Sequence, residues 1–345
     1  MKNVLALFVI IGAVAIQAAG TDLLRFVPGN IRGMACIDMT KGWQHPAFQR
    51  IRRNDPTIDS QCRLLESKLA QYRLRPEQAI TGMAVFYRDS NSVGSVFHTN
   101  ISEAQFDKML ASGITKGTEH MVQVQKKNAN GYRYYLVKSQ YNGKRLPDSG
   151  FTYIGTNQVL MAPVEQLDEV RSSLSKGSVA GNKFFANQIR MINTNAPFWT
   201  VFSVPEEISR SLAANSQGNA AAAYMSRITN GAFAVDTSGK TNRDFMISGF
   251  LTCTDPGTAK QMAQQLQLMP MACNDTRTAM RVNESMSLST KGNTLFLRML
   301  IPESMHGMFM GFAQPGSSSA QTQQSASQQY RQPTQTQTTA RYQRR

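Results

Sequence analysis

The chain contains few of the residues that carry most protein chemistry. Its 345 residues include four cysteines, four histidines and 22 acidic residues. Four cysteines are too few for a disulfide scaffold at this length. No histidine lies in an HxH, HExxH or Cys-His spacing, which excludes a metal site built from one local motif. Glycine follows no collagen period, and no heptad array is present. No local motif therefore identifies a reaction.

The chain does contain many apolar residues and an excess of positive charge. Hydrophobic residues make up 41% of the chain, which is enough for a packed core and excludes a wholly disordered protein. Lysine and arginine number 37, so the formal net charge is +15. The length allows two ordinary domains or one large one.

The N-terminus has the pattern of an export signal. Lys2 precedes an apolar run from Val4 to Ala15, and Ala18-Ala19-Gly20 forms a small-residue cleavage site before Thr21. The pattern predicts a cleaved signal peptide, residues 1–20, and a periplasmic, cell-surface or secreted protein. An uncleaved anchor is the alternative, although the run is shorter than the roughly 20 residues of a spanning helix.

Export would place the four cysteines in an oxidising compartment, where three pairings are conceivable. Cys253 and Cys273 bracket a predicted helix, residues 256–268, whose ends lie about 20 Å apart. A disulfide needs Cα atoms within about 7 Å. Cys36 and Cys62 could pair more easily, if the helix carrying Cys62 packs on the first strand. Buried free thiols remain the alternative to both bridges.

The order of predicted elements occurs twice along the chain. Ile80-Thr81-Gly82 opens a strand in the first half, and Ile228-Thr229-Asn230-Gly231 opens its counterpart. Each half also ends in a hairpin, across residues 128–131 and 291–293. The repeated order predicts an α+β fold of two tandem β-α-β-β-α-β units. This is the split βαβ, ferredoxin-like arrangement with mainly antiparallel sheets.

The predicted organisation follows from this duplication. A first repeat with extra strands and a helix is expected over 21–180, a linker helix over 181–196 and a second repeat over 197–312. The last segment, 313–345, is rich in Gln, Ser and Thr and contains no acidic residue. Such a composition predicts a disordered tail.

The layout resembles a loose group of uncharacterised exported bacterial proteins. Members begin with a signal peptide and a Phe-x-Pro start, here Phe26-Val27-Pro28, and continue with a duplicated α+β unit with Gly-containing strands. The resemblance covers about residues 24–305. It implies export and the duplicated fold, and it implies no activity.

Two features of the sequence resemble functional sites but have simpler explanations. Gly239-Lys240-Thr241 ends like a phosphate-binding loop, but Ala234 replaces the first glycine and the segment leads into a strand instead of a helix. It is interpreted as a hairpin turn, and no cofactor is predicted. Asp38 is the most unusual acid, because its strand neighbours are apolar. The simpler interpretation is a residue at a strand end that faces water.

Basic residues form the one suggestive distribution. They crowd the first helical region, the first hairpin and the tail. A solvated charged face is the simpler interpretation, and attachment to an anionic surface is the alternative. The candidate polyanion contacts are Arg50, Arg52, Arg53, Lys126, Lys127, Arg331, Arg341, Arg344 and Arg345.

Three functions are compatible with these patterns. The leading hypothesis is an exported, non-enzymatic protein with a structural or binding role. The first alternative is a module that binds anionic envelope polymers or lipid head groups, with nucleic acid disfavoured outside the cytoplasm. The second is a secreted hydrolase whose site is assembled from distant residues. No catalytic, cofactor-binding or metal-binding residue is predicted.

Overall fold

A computed structural model of the chain describes residues 21–302, except 44–45, 47–48, 50–51, 54–55, 90–91, 112–121, 142–143, 146, 215–219, 237–243 and 274. The chain divides into two units, residues 1–306 and 307–345. All described residues belong to the first unit. The predicted signal peptide and tail lie outside the described residues.

The described strands form one continuous sheet in which all neighbours are antiparallel. Twelve strands follow the order β12-β13-β11-β10-β9-β1-β2-β3-β8-β7-β5-β4, and the short β6 pairs with β5. Their bounds are β1 (Gly33–Asp38), β2 (Ile80–Asp89), β3 (Ser92–Thr99), β4 (Val122–Ala129), β5 (Tyr132–Tyr141), β6 (Lys144–Arg145), β7 (Ser149–Tyr153), β8 (Gln158–Pro163), β9 (Phe198–Ser203), β10 (Ile228–Asp236), β11 (Phe245–Cys253), β12 (Ser287–Lys291) and β13 (Thr294–Ile301).

Ten α-helices lie between the described strands. They are α1 (Met39–Gly42), α2 (Pro56–Ala70), α3 (Pro76–Ala79), α4 (Glu103–Ala111), α5 (Leu167–Ser173), α6 (Lys183–Ile189), α7 (Glu206–Ala214), α8 (Ala220–Met225), α9 (Pro256–Gln267) and α10 (Thr276–Ser285). Short 3₁₀ turns include Thr21–Phe26 and Val179–Gly181. Within the described residues, no helix is both long and apolar enough to cross a membrane.

Local turn chemistry produces the predicted hairpin between β4 and β5. Ala129 pairs with Tyr132, so the loop has two residues, Asn130 and Gly131. Their φ angles are 50° and 75°. Two consecutive positive φ values define the turn that matches the twist of antiparallel strands, and Asn-Gly is its preferred sequence. The hairpin prediction is confirmed.

The prediction of two tandem split βαβ units is wrong. In that arrangement helices cross over between parallel strands, whereas α1 to α3 connect β1 to its adjacent antiparallel neighbour β2. The strand orders of the halves also differ. β13 pairs directly with β11, but β7 and β8 separate β5 from β3.

The two halves meet in the middle of the sheet, where β1 pairs with β9. This pairing leaves neither first strand as an exposed edge, which would offer unpaired backbone groups to other chains. It also places Cys36 opposite Trp199 and Met34 opposite Val201, and all four side chains are buried. One core, and not two, therefore lies beneath the central strands.

We call the side of the sheet that carries these four residues the covered face. The N-terminal turn, α5 and α6 pack on it, and Leu23, Val170 and Phe185 join its core. The opposite side, the open face, is covered by helices mainly towards its two ends. Phe106 of α4 contacts Tyr135 and Phe151 there, and α9 packs beside Leu295 at the other end.

Candidate functional site

Arg52, one of the predicted polyanion contacts in the first helical region, forms ion pairs within the fold. The Arg52 side chain is only 10% exposed and donates to both carboxylate oxygens of Glu66, at 2.7 and 3.1 Å. It also pairs with Asp59 at 3.1 Å. The indole of Trp43 donates to the same Glu66 at 3.0 Å. Arg52 thus joins the segment before α2 to the helix and is not a free polyanion contact.

The first hairpin uses its cations in the same way. Lys126 pairs with Asp107 of α4 at 2.5 Å, and Arg133 pairs with Glu103 at 3.2 Å. The buried Tyr135 donates to Asp107 at 2.7 Å. These contacts hold α4 against the hairpin. Of the other predicted contacts, Arg53 and Lys127 are exposed, whereas Arg50, Arg331, Arg341, Arg344 and Arg345 lie outside the described residues.

One of the two features that resemble functional sites, Asp38, has a structural explanation. The Asp38 carboxylate accepts a hydrogen bond from the Thr40 amide at 2.8 Å and caps α1. The segment 237–243, with Gly239-Lys240-Thr241, lies outside the described residues. The flanking strands β10 and β11 pair antiparallel, as a hairpin requires.

The four cysteines form no disulfide in the described structure, and Cys36, Cys62 and Cys253 are buried, as the alternative of buried thiols expected for them. Burial raises the pKa of the Cys36 thiol far above its usual value and that of Cys62 to about 11. Both thiols therefore stay protonated at neutral pH, and a thiol is a poor nucleophile.

Several carboxylates make stability depend on acid pH. Lys126, Tyr135 and Arg133 hold the pKa of Asp107 below its usual value, and hydrogen bonds from Arg63 and Arg52 do the same for Asp59. A lowered folded-state pKa stabilises the protein above the unfolded-state pKa, about 3.9, and this stabilisation is lost as pH falls through the folded-state value.

We therefore expect the free energy of unfolding to fall steadily below about pH 4. Asp107→Asn should lower it at pH 7 and should reduce its change between pH 6 and pH 3. Urea titrations at both pH values measure this. Glu165→Gln, at an exposed acid, is the control, and an equal pH response in both variants would contradict the assignment.

The open face carries an apolar surface where a solvent-facing sheet is normally polar. On the central strands, covered-face residues such as Trp199 and Ala234 are fully buried. Most open-face residues are half-buried, but Ile37 and Met83 are buried in a cluster with Met39 of α1. We call the following half-buried residues the aromatic platform: Ala35, Val85, Tyr87, Phe198, Thr200, Phe202, Phe233 and Val235. Only Thr200 and the Tyr87 hydroxyl are polar. The platform is therefore an apolar surface that is partly accessible to solvent.

Glycines in the neighbouring strands shape the platform. Tyr87, Phe202 and Phe233 are the direct cross-strand partners of Gly33, Gly231 and Gly249. A Cβ atom at Gly33 would lie 2.5 Å from Tyr87 Cε1, and one at Gly231 would lie 2.9 Å from Phe202 Cζ. The rings therefore lie over the glycine residues. The rings of Phe202 and Phe233 are stacked, with their centroids 6.2 Å apart. The glycines therefore leave room for these aromatic rings at the surface of the sheet.

Sequence reasoning did not predict the platform. A signal was present, because Phe198-Trp199 and Val201-Phe202 place apolar residues on both faces of β9. This pattern is ambiguous, since it is equally typical of a strand buried on both sides. Only the positions of α4 and α9 show which face of the sheet stays partly accessible to solvent.

Comparison with known proteins adds no assignment. No family model matches the chain, and no curated protein and no solved structure is detectably similar to it. In the described part of the chain, no three His, Cys, Asp or Glu side chains converge as metal ligands would.

Proposed function

We propose that this chain is an exported, non-enzymatic binding protein of the cell envelope or the extracellular space. The observation that carries the proposal is the aromatic platform, an apolar surface between two helix-covered ends of one sheet. The N-terminal export pattern supports the location. The Phe26-Val27-Pro28 start supports a place among the exported bacterial proteins that the layout resembles.

The chemistry of the platform indicates the chemical class of partner that it would bind. Neighbouring strands lie about 4.8 Å apart, so the four strands β2, β1, β9 and β10 span roughly 15 Å. Flat rings offer contact area without deep pockets, and they lose little side-chain entropy on binding. The surface therefore suits an apolar segment of a partner protein, held by burial of its side chains.

A charge placed on the platform should weaken its binding to apolar molecules. Nile red is a neutral dye that fluoresces in apolar surroundings, and the full-length protein should bind it saturably. Ala35→Arg, at the centre of the platform, and Val235→Lys should each weaken this binding about tenfold, because a cation must then be desolvated or displaced. Fluorescence titration measures the affinity.

The matched control is Ser289→Arg, which adds the same charge at an exposed position of β12. It should leave dye binding unchanged. If both platform variants fold, as judged by circular dichroism, and bind the dye like the original chain, the platform is not the binding surface.

Export is tested separately. We expect the protein purified from its native host to begin near Thr21, because the small-residue site Ala18-Ala19-Gly20 precedes it. Intact-mass measurement gives the N-terminus, and cell fractionation gives the compartment. Retention of residues 1–20 would contradict cleavage, and recovery from the cytoplasm would contradict export.

A further inference from the structure

A basic surface lies over the covered face, on the opposite side of the sheet from the platform. Residues 171–205 contain Arg171, Lys176, Lys183 and Arg190 and no acidic residue. All four basic side chains are exposed. Helix α6 is the centre of this segment.

Helix α6 presents apolar residues on both of its sides. Phe185 and Ile189 point into the core beside Trp199 and are buried. Phe184 and Met191 point outwards and are 43% and 52% exposed. Phe184 lies in the first turn of α6, and Met191 lies two residues after its last residue, Ile189. The Phe184 ring packs edge-on against Phe185 at 5.1 Å, which positions it on the surface.

Each protruding apolar residue has a basic neighbour. Lys183 precedes Phe184, and Arg190 precedes Met191, so a basic–apolar pair occurs at the start of α6 and again just after its end. Exposed aromatic or aliphatic side chains flanked by cations are typical of protein surfaces that lie in the interface of a lipid bilayer. There the apolar groups enter the acyl boundary and the cations contact anionic head groups.

The chain enters the fold beside this surface. The Val179 amide donates to Val27 O at 2.9 Å, the Gly29 amide donates to Gly177 O at 3.0 Å, and Asn182 Nδ2 donates to Gly29 O at 2.8 Å. These bonds attach the N-terminal turn to the segment before α6. The N-terminal turn therefore lies beside the segment that carries Phe184.

The acids that flank this segment along the chain are Glu165, Asp168 and Glu169 before it and Glu206 and Glu207 after it. Asp168 accepts hydrogen bonds from Asn130 and Tyr132, and Glu169 pairs with Arg88 at 2.5 Å. Asp22 is the one acid in the N-terminal turn, and Arg25 lies in the same turn. Residues 171–205 themselves carry four basic side chains and no acid, so their formal charge is +4.

We infer that Lys176, Lys183, Phe184, Arg190 and Met191 form a docking surface for an anionic phospholipid bilayer. The protein would lie on the bilayer with the covered face towards it, and the aromatic platform would point away from it and stay accessible to a partner. The inference rests on the proposed export, because the surface must meet an envelope membrane.

Vesicle co-sedimentation tests the inference with a chain that begins at Thr21 and retains every described residue and the C-terminal segment. The probes are vesicles of phosphatidylcholine alone and vesicles with about one third phosphatidylglycerol. We expect binding to the anionic vesicles, weakened by salt, and little binding to the neutral ones. Phe184→Ser/Met191→Ser and Lys183→Gln/Arg190→Gln should each reduce binding at least tenfold.

The control Leu268→Ser/Met271→Ser removes two other exposed apolar side chains, which are 49% and 82% exposed, and should bind like the original chain. The C-terminal arginines are present throughout, so they cannot cause a difference between variants. Soluble polyphosphate serves as a polyanion without an acyl phase.

Loss of vesicle binding in both variants, with the control unchanged, supports the bilayer surface. Unchanged binding in Phe184→Ser/Met191→Ser overturns it, and equal binding to polyphosphate would then show a general polyanion contact. Failure of the original chain to bind anionic vesicles also overturns it. The N-terminal mass measurement reports on export independently. A failure of the bilayer inference can therefore be distinguished from a failure of the proposed export.

Discussion

Gly249→Ala should destabilise the protein by about 3 kcal/mol, the upper range for forcing extra volume into a packed site. An added Cβ atom would lie 2.1 Å from the carbonyl oxygen of Ala232 and 2.8 Å from the Cα atom of Phe233. Both are backbone atoms of β10, so no side-chain rotation can relieve the overlap. The paired strands β10 and β11 would have to separate. Urea unfolding of the full chain measures the effect.

Gly181→Ala is the matched control for this substitution. No atom lies within 4 Å of a Cβ at Gly181, and its φ angle is not positive. We expect its free energy of unfolding to stay within about 0.5 kcal/mol of the original value. Equal losses in the two variants would show that the close approach of Phe233 to Gly249 does not shape the platform.

Glu66→Ala should lower the free energy of unfolding by about 2 kcal/mol. Truncating one partner of a buried ion pair leaves the other charge desolvated, which costs about 3–5 kcal/mol when both partners are buried. The Arg52 side chain is 10% exposed, but that of Glu66 is 35% exposed, so solvent screens part of the loss. The indole of Trp43 also loses its acceptor.

Arg63→Ala provides the comparison, because Arg63 pairs with Asp59 on the same helix but is 75% exposed. An exposed pair contributes little, so this variant should lose less than about 0.5 kcal/mol. A loss in Arg63→Ala as large as that in Glu66→Ala would contradict the assignment of Arg52 to a buried structural role.

The elements of the fold were largely predictable from local patterns. The strand that Ile80-Thr81-Gly82 was expected to open is β2, Ile80–Asp89, and the counterpart that begins at Ile228 is β10, Ile228–Asp236. The helix expected over 256–268 is α9, Pro256–Gln267, followed by a 3₁₀ turn. These predictions succeeded because alternation, capping and Asn-Gly turns act over a few residues.

The candidate functional surfaces were much less predictable. The cation at Arg52 was expected to be accessible, but its partner Glu66 is fourteen residues away and the contact exists only in the folded chain. Phe184 and Phe185 are adjacent and chemically identical, yet one is exposed and the other buried. The sequence of α6 alone does not show which of its sides meets the sheet.

By itself the sequence determined the positive charge, the export pattern, most strand and helix positions and the turns that join neighbouring strands. Only the tertiary structure decided that β1 pairs with β9 and that β7 and β8 stand between β3 and β5, which made one sheet out of two expected units. The order of strands from distant segments depends on which apolar faces are buried together. The free energy gained by this burial comes from the whole core and not from any one strand. A local pattern specifies that a strand forms, because its determinants lie within the strand, but it does not specify the partner.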